Sequence, residues 1–321
     1  MNEIIAPVDP SLIEGELTPD TFVRDTNKAG NTVHIVRANQ APHTMREIGR
    51  LREISFRLGG GGSGNEIDID RFDTMEFPYG QLIVWNPDAR EIIGGYRFRY
   101  GCNAQILPDG QPDMAIEHIF TMSDEFIKDY LPYTLEMGRA FVQPKYQNMK
   151  GGIKSLYALD NLWDGIGALV ATIPGLKYLI GKVTIYSTTK PEARKAMIYF
   201  FDHYFAQKDN RLLLPRVPET FSADDLQWLT AIVQGNDLKK DYKNLNSFVR
   251  KMGECIPPLL HAYMDLSSSM QTFGTVFDPD FGDIYDTGVM ITLDDVYQIK
   301  KERYIESYLK NNVCNATRNF V

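Results

Sequence analysis

The chain has 321 residues, of which 43% are hydrophobic, 24% charged and 12% aromatic, a composition that supports a large folded core and excludes wholesale disorder. A formal net charge of −8 excludes broad nucleic-acid binding, which needs a dense Lys/Arg surface. Cys102, Cys255 and Cys314 are odd in number and lack a CxxC pair, so free thiols in a reducing cytoplasm are expected rather than a disulfide framework or zinc site.

In chain order, residues 1–30 are rich in Pro, Asp and Glu and predict an extended arm, without the basic start and apolar run of a signal peptide. "NTVHIVRA" (31–38) predicts a first strand. Met45, Ile48, Leu51 and Ile54 recur every three residues and predict a helix over 42–58, stopped by "GGGGSG" at 59–64. That glycine run reads equally as a gate or as a plain connection. "QLIVWNPDAREIIGGYRFRYG" (81–101) predicts a hairpin turning at Asn86-Pro87-Asp88.

A short helix over 123–130 precedes a strand over 134–142, "TLEMGRAFV", and a long helix should start near Gly152. "KVTIYST" (182–188) predicts another strand, and Pro191 suits the first turn of a helix. From about 209 the chain reads as mainly helical with one late strand, "TGVMITLD" (287–294). The most apolar window, "IGALVATIPGLKYLIG", is broken by Pro174 and Lys177 and is shorter than the roughly 18 residues a membrane span needs, so peripheral membrane contact alone stays open. The order predicts an α/β fold with a mixed central sheet and flanking helices. It divides into an arm (1–30), a core (31–208), a mainly helical C-terminal region packed on it (209–310) and a flexible tail (311–321).

Chemistry concentrates in "LEMGRAFVQPKYQNMKGG" (135–152). A glycine turn between a strand and a helix start offers unpaired amides, and Lys145, Lys150 and Lys154 add positive charge, a pattern suited to phosphate but matching neither a Walker loop nor a dinucleotide fingerprint. Glu136 and Arg139 stand three apart and should face opposite sides of a regular strand. Gly138 between them predicts a bulge or splay near Met137–Gly138. Asp68, Asp70 and Asp73 lack the glycine and glutamate of an EF-hand and read as a charged turn, with no metal.

"VQPKYQNMKGGI" resembles the phosphopantetheine-binding segment of the GNAT acyltransferase superfamily, with its glycines one residue further along than usual. The series Arg52, Phe56, Asp70, Asp73, Arg97, Glu136 and Arg139 is similar to one shared by acyl-homoserine-lactone synthases and ornithine-lipid-type N-acyltransferases. "PPLLHAYMDL" and "FDPDFGDIYDTGVMITLD" are similar to the C-terminal part of the ornithine- and glycine-lipid enzymes. Two departures stand out: His261 where those enzymes carry Lys or Arg, and Arg57 with the glycine run after Phe56.

The resemblance implies an N-acyltransferase with no permanently bound cofactor. Its acyl-phosphopantetheine donor would be delivered by acyl carrier protein, or by CoA, and its acceptor would be an amino acid such as glycine or ornithine. It implies Glu136 as base, with Arg139, Asp70, Asp73, Arg97 and Arg52 forming the catalytic wall. Phe141, Val142, Lys150, Gly151, Gly152 and Ile153 would hold the donor, and Tyr199 or Tyr204 is a candidate acid. The carrier would dock on a basic rim of Lys145, Lys150, Lys154, Arg46 and Arg50, in the cytoplasm or at the inner membrane face. A lactone-type synthase and a catalytically silent carrier- or lipid-binding protein stay open as alternatives. Without the resemblance, the charged residues read as a buried structural ion-pair network.

Overall fold

A computed structural model describes residues 1–147, 152–207 and 211–311. The chain begins with helix Pro10–Glu16 (α1), strands Phe22–Asp25 (β1) and Thr32–Val36 (β2), helices Pro42–Gly59 (α2) and Arg71–Thr74 (α3), and the hairpin Gly80–Asn86 (β3) and Glu91–Tyr100 (β4). Strands Phe120–Met122 (β5) and Thr134–Val142 (β6), helices Gly152–Leu156 (α4) and Ala158–Thr172 (α5), strand Tyr178–Tyr186 (β7) and helix Pro191–Phe205 (α6) follow. Then come strand Leu213–Pro215 (β8), helices Ala223–Ile232 (α7), Leu238–Lys251 (α8) and Pro258–Met264 (α9), and strands Gln271–Asp278 (β9) and Ile284–Thr292 (β10). The short helices Gln298–Lys300 (α10) and Ser307–Asn311 (α11) close the described chain.

The chain divides into two compact units, each built from separated segments. The first takes residues 1–103, 135–176 and those from 297 onward; the second takes 104–134 and 177–296.

In the first unit β1, β2, β3, β4 and β6 pair in that order, all antiparallel. Helix α5 lies on this sheet and buries Leu162, Ile166 and Leu169, each such side chain contributing about 2 kcal/mol by leaving water. The approach is close because residue 165 is glycine: a Cβ there would stand 2.7 Å from Leu82 and 2.9 Å from Val33. On α2, Met45, Ile48, Leu51 and Phe56 are buried together with Arg52 and Glu53, so its inward stripe carries two charges as well as apolar groups.

In the second unit β7, β10 and β9 form an antiparallel sheet and β5 pairs with β8. Phe120, Phe126, Ile180, Leu213, Phe273 and Met290 share its core.

Two expectations change. Residues 1–30 are not simply extended: Asp9 accepts a hydrogen bond from the Ser11 amide at 2.8 Å and Pro10 occupies the first turn, which starts α1, and β1 follows. The late strand β10 has a partner, β9, whose alternation is interrupted at Gly274.

Candidate active site

The charged residues singled out in the sequence meet in the first unit. Arg52, fully buried on α2, donates from Nη1 to both carboxylate oxygens of Asp73 at 3.2 Å and from Nη2 to Gln81 Oε1. Gln81 Nε2, on β3, donates to the same carboxylate at 2.9 Å. Asp70 and Asp73 are fixed by a reciprocal cap at the start of α3: Asp70 accepts from the Phe72 amide at 2.9 Å, and Asp73 accepts from the Asp70 amide at 3.1 Å. From β4, Arg97 Nη1 donates to Asp70 at 2.6 Å and to Asp73 at 3.4 Å. From β6, Arg139 Nε stands 3.0 Å from the Asp68 carboxylate and Nη2 3.4 Å from Asp70.

Three guanidinium groups and three carboxylates therefore tie α2, α3, β4 and β6 together. Burial pushes the Asp68 carboxyl up and the Arg52 guanidinium down. Burial also opposes ionisation of Asp73, but Arg52 and Arg97 outweigh it and hold that carboxyl at about 2. For Arg97 the charges of Asp73 and Asp70 outweigh burial and keep its guanidinium above its usual range. Asp70 and Arg139 are the partly exposed members, at 29% and 16% of their side-chain surface, and form the edge a ligand could reach.

Glu136 is buried and accepts a hydrogen bond from the Tyr79 hydroxyl at 2.6 Å. The Tyr79 ring lies 5.3 Å from Phe72 and carries the guanidinium groups of Arg97 and Arg99 at 5.4 and 5.8 Å from its centroid.

A bulge does interrupt β6, one residue past the expected place. Gly138 pairs with Arg97 and Phe141 with Gly95, so Arg139 and Ala140 together oppose Tyr96. The left-handed residue is Arg139 itself, at φ 47°, rather than Gly138. Such a conformation costs a side-chain-bearing residue about 1–2 kcal/mol. Here the ion pairs to Asp68 and Asp70 offset it. The bulge brings Arg139 to the carboxylates that Arg97 uses, while Glu136 is held through Tyr79.

Among the expected donor-binding residues, Phe141 is buried opposite Gly95, and the Val142 carbonyl accepts from Gln147 Nε2 at 2.6 Å. Lys150 and Gly151 lie outside the described residues; Gly152 and Ile153 open α4. Much of the basic rim is already paired: Lys145 with Glu91 at 2.5 Å, Lys154 with Asp88 at 2.9 Å and Arg50 with Glu47 at 2.5 Å.

The glycine run is a tethered connection. Buried Glu53 accepts from the amides of Ser63 and Gly64 at 3.0 and 2.8 Å, from the Ser63 hydroxyl at 2.8 Å and from Arg57 Nε at 2.7 Å.

In the second unit, Tyr204 donates its hydroxyl to Asp241 at 2.7 Å, and Tyr199 packs edge-on against Phe221. His118 is hydrogen-bonded to Asp278 at 2.9 Å, and His261 stacks on Tyr242 at 5.8 Å. A cavity of about 430 Å³ there is lined by Tyr130, Tyr178, Tyr204, Phe205, Met270 and Met290 among others; of the predicted site residues only the candidate acid Tyr204 lines it.

Sequence reasoning missed Tyr79 and Gln81. Their signal was the alternation of "YGQL": an aromatic and an amide two apart on the face that carries Arg97 and Arg99.

A family model described as an acetyltransferase (GNAT) domain matches residues 51–156, the stretch from Leu51 to Leu156. Two curated proteins, both named glycine N(alpha)-acyltransferase, align over 312 residues and 97% of this chain. The one from Bacteroides thetaiotaomicron is 46% identical with 92% of its length covered, and the one from Phocaeicola vulgatus is 45% identical with 95% covered. A solved CoA-dependent acyl-homoserine lactone synthase with MTA is 12% identical, covering 67% of this chain and 99% of its own, at a TM-score of 0.27 that carries no weight.

Proposed function

Because the chain belongs to the glycine N(alpha)-acyltransferase family of GNAT-fold N-acyltransferases, we propose that it acylates the α-amine of glycine using an acyl thioester on phosphopantetheine, supplied by acyl carrier protein. The product would be an N-acylglycine serving aminolipid synthesis. The observation that carries this reading is the alignment over 97% of the chain with two glycine N(alpha)-acyltransferases.

Glu136 would take the proton that the amine nitrogen loses as its bond to the thioester carbon forms. A base so placed contributes roughly 10²- to 10⁴-fold. The oxyanion then collapses, the carbon–sulfur bond breaks and the thiolate leaves to be protonated. A bulge leaves one residue outside the ladder, and the backbone amide at Arg139–Ala140 is the group we assign to the oxyanion, an interaction worth about 3 kcal/mol in other acyl-transfer sites. Arg52, Arg97, Asp70 and Asp73 would hold this wall rigid. Residues 150–153 would receive the donor's phosphate.

Purified protein, incubated with a 3-hydroxyacyl carrier protein or with acyl-CoA and with glycine or ornithine, should give the N-acylglycine mass and no acyl-ornithine. Absence of an acylated product with glycine would sink the proposal.

A further inference from the structure

Within the site, Arg52, Arg97 and Arg139 meet Asp68, Asp70 and Asp73 in ion pairs, as described above. Arg99 differs. Among the described residues no carboxylate lies within 4 Å of it; its Nη1 donates to the Phe77 carbonyl at 2.6 Å, its Nη2 donates to the Asn103 carbonyl, and its Nε is buried without a hydrogen-bond partner. Carbonyl oxygens orient a guanidinium but bring no opposite charge. A second positive charge lies close by: burial, and then the charge of Arg99, push the Arg37 guanidinium below its usual range.

The β4–β6 pairing puts Arg99 directly opposite Glu136. Opposed residues in an antiparallel pair project to one face with Cβ atoms about 5 Å apart. Tyr79 joins them, bonding Glu136 through its hydroxyl at 2.6 Å and meeting the Arg99 guanidinium at 5.8 Å from its ring centroid. One face therefore presents, side by side, an acid and a guanidinium that makes no ion-pair contact within 4 Å to a described carboxylate. That arrangement complements an amino acid, whose amine and carboxylate are separated by a single carbon.

We propose that Arg99 binds the carboxylate of the acceptor amino acid and so aims its amine at Glu136, making Arg99 the residue that selects an amino acid over a simple amine. The inference rests on the amino-acid acceptor and on Glu136 as base. Bidentate capture of a carboxylate by a guanidinium is both strong and directional. The two carbonyl tethers keep Arg99 in one orientation while leaving donors for the ligand.

The test compares glycine with glycinamide, which has the same amine and no carboxylate. The wild-type protein should favour glycine strongly in kcat/KM. Arg99→Gln should raise KM for glycine by on the order of 30-fold, the loss expected for one charge-assisted hydrogen bond, leave KM for the acyl donor unchanged, and bring the glycine-to-glycinamide ratio towards one. Arg99→Lys, which keeps the charge, should recover part of the ratio and guards against misfolding of the glutamine variant. An unchanged ratio in Arg99→Gln, or a wild-type protein indifferent to the amide, overturns the inference while leaving glycine acylation intact. If wild-type protein rejects glycine but accepts another amino acid, the glycine reading falls, and the same comparison with that amino acid and its amide decides the role of Arg99. Turnover of no amino acid overturns both.

Discussion

Asp73 is the residue on which the ion network converges, since it accepts from Arg52, Arg97, Gln81 and the Asp70 amide. Asp73→Asn should cost about 3–5 kcal/mol, because it strands Arg52 in a fully buried position; urea unfolding monitored by circular dichroism measures it. The folded carboxyl sits at about 2 against 3.8 in the unfolded chain, a depressed value. Its contribution is therefore complete above about pH 4 and disappears as pH falls through that window. Glu136→Gln should leave stability nearly unchanged, since the amide oxygen still accepts from Tyr79, yet lower kcat by roughly 100-fold or more if Glu136 is the base. Retained turnover would remove it from the mechanism. Glu136 and Arg139 were legible as charges on a half-apolar strand, whereas Arg52, Asp70, Asp73 and Arg97 joined them only through the family resemblance. Their pairing was not legible, since it depends on a bulge and on Tyr79, which only the folded register brings together.

At the scale of elements, Glu53 is to the glycine run what a cap is to a helix. Glu53→Ala should free the amides of Ser63 and Gly64 and take the carboxylate from Arg57 Nε, costing about 1–3 kcal/mol. Limited proteolysis should then cut within 59–64 faster than in the wild type; equal rates would mean the loop is held by something else. On α5, burial pushes Asp164 up to about 6, against the hydrogen bond from the Asn27 amide and the charge of Arg24. The folded protein thus holds a proton that the unfolded chain releases near 3.8, so stability declines as pH rises from about 4 to 6. Asp164→Asn should flatten that part of a stability-against-pH curve, and a slope that persists would assign it to another group. Apolar periodicity exposed α2 and the β3–β4 hairpin to within a residue or two. It failed for α1, where the start depends on one Asp side chain and a proline in a stretch whose acids and prolines suggest a coil, and for β9, where Gly274 breaks the alternation.

At the scale of the whole molecule, each unit is assembled from segments distant in the chain, and the ion network lies wholly in the first. Composition cannot reveal such a division, because both units draw on the same balance of apolar and charged residues. No helix among the described residues is long and apolar enough to cross a membrane. The net charge of −8 repels an acidic carrier protein overall, and several rim cations are already paired. Docking of the proposed carrier should therefore depend only weakly on salt, with kcat/KM for an acyl carrier protein falling less than tenfold between about 50 and 300 mM NaCl. A steeper decline would point to a basic surface beyond these pairs.

The extra residue in β6 also sets which positions of that strand can be shortened or lengthened. Because Arg139 and Ala140 share one partner, Glu136, Gly138 and Phe141 stand on the same side of the sheet, out of step with strict alternation. Deleting Ala140 would restore the alternation with Phe141 still opposite Gly95, but Arg139 would then face Tyr96 alone and turn to the opposite side, away from Asp68 and Asp70. A loss of one codon here should be far more damaging than replacement of the same residue, whereas the exposed turn at 88–90, beyond the paired strands, should absorb it.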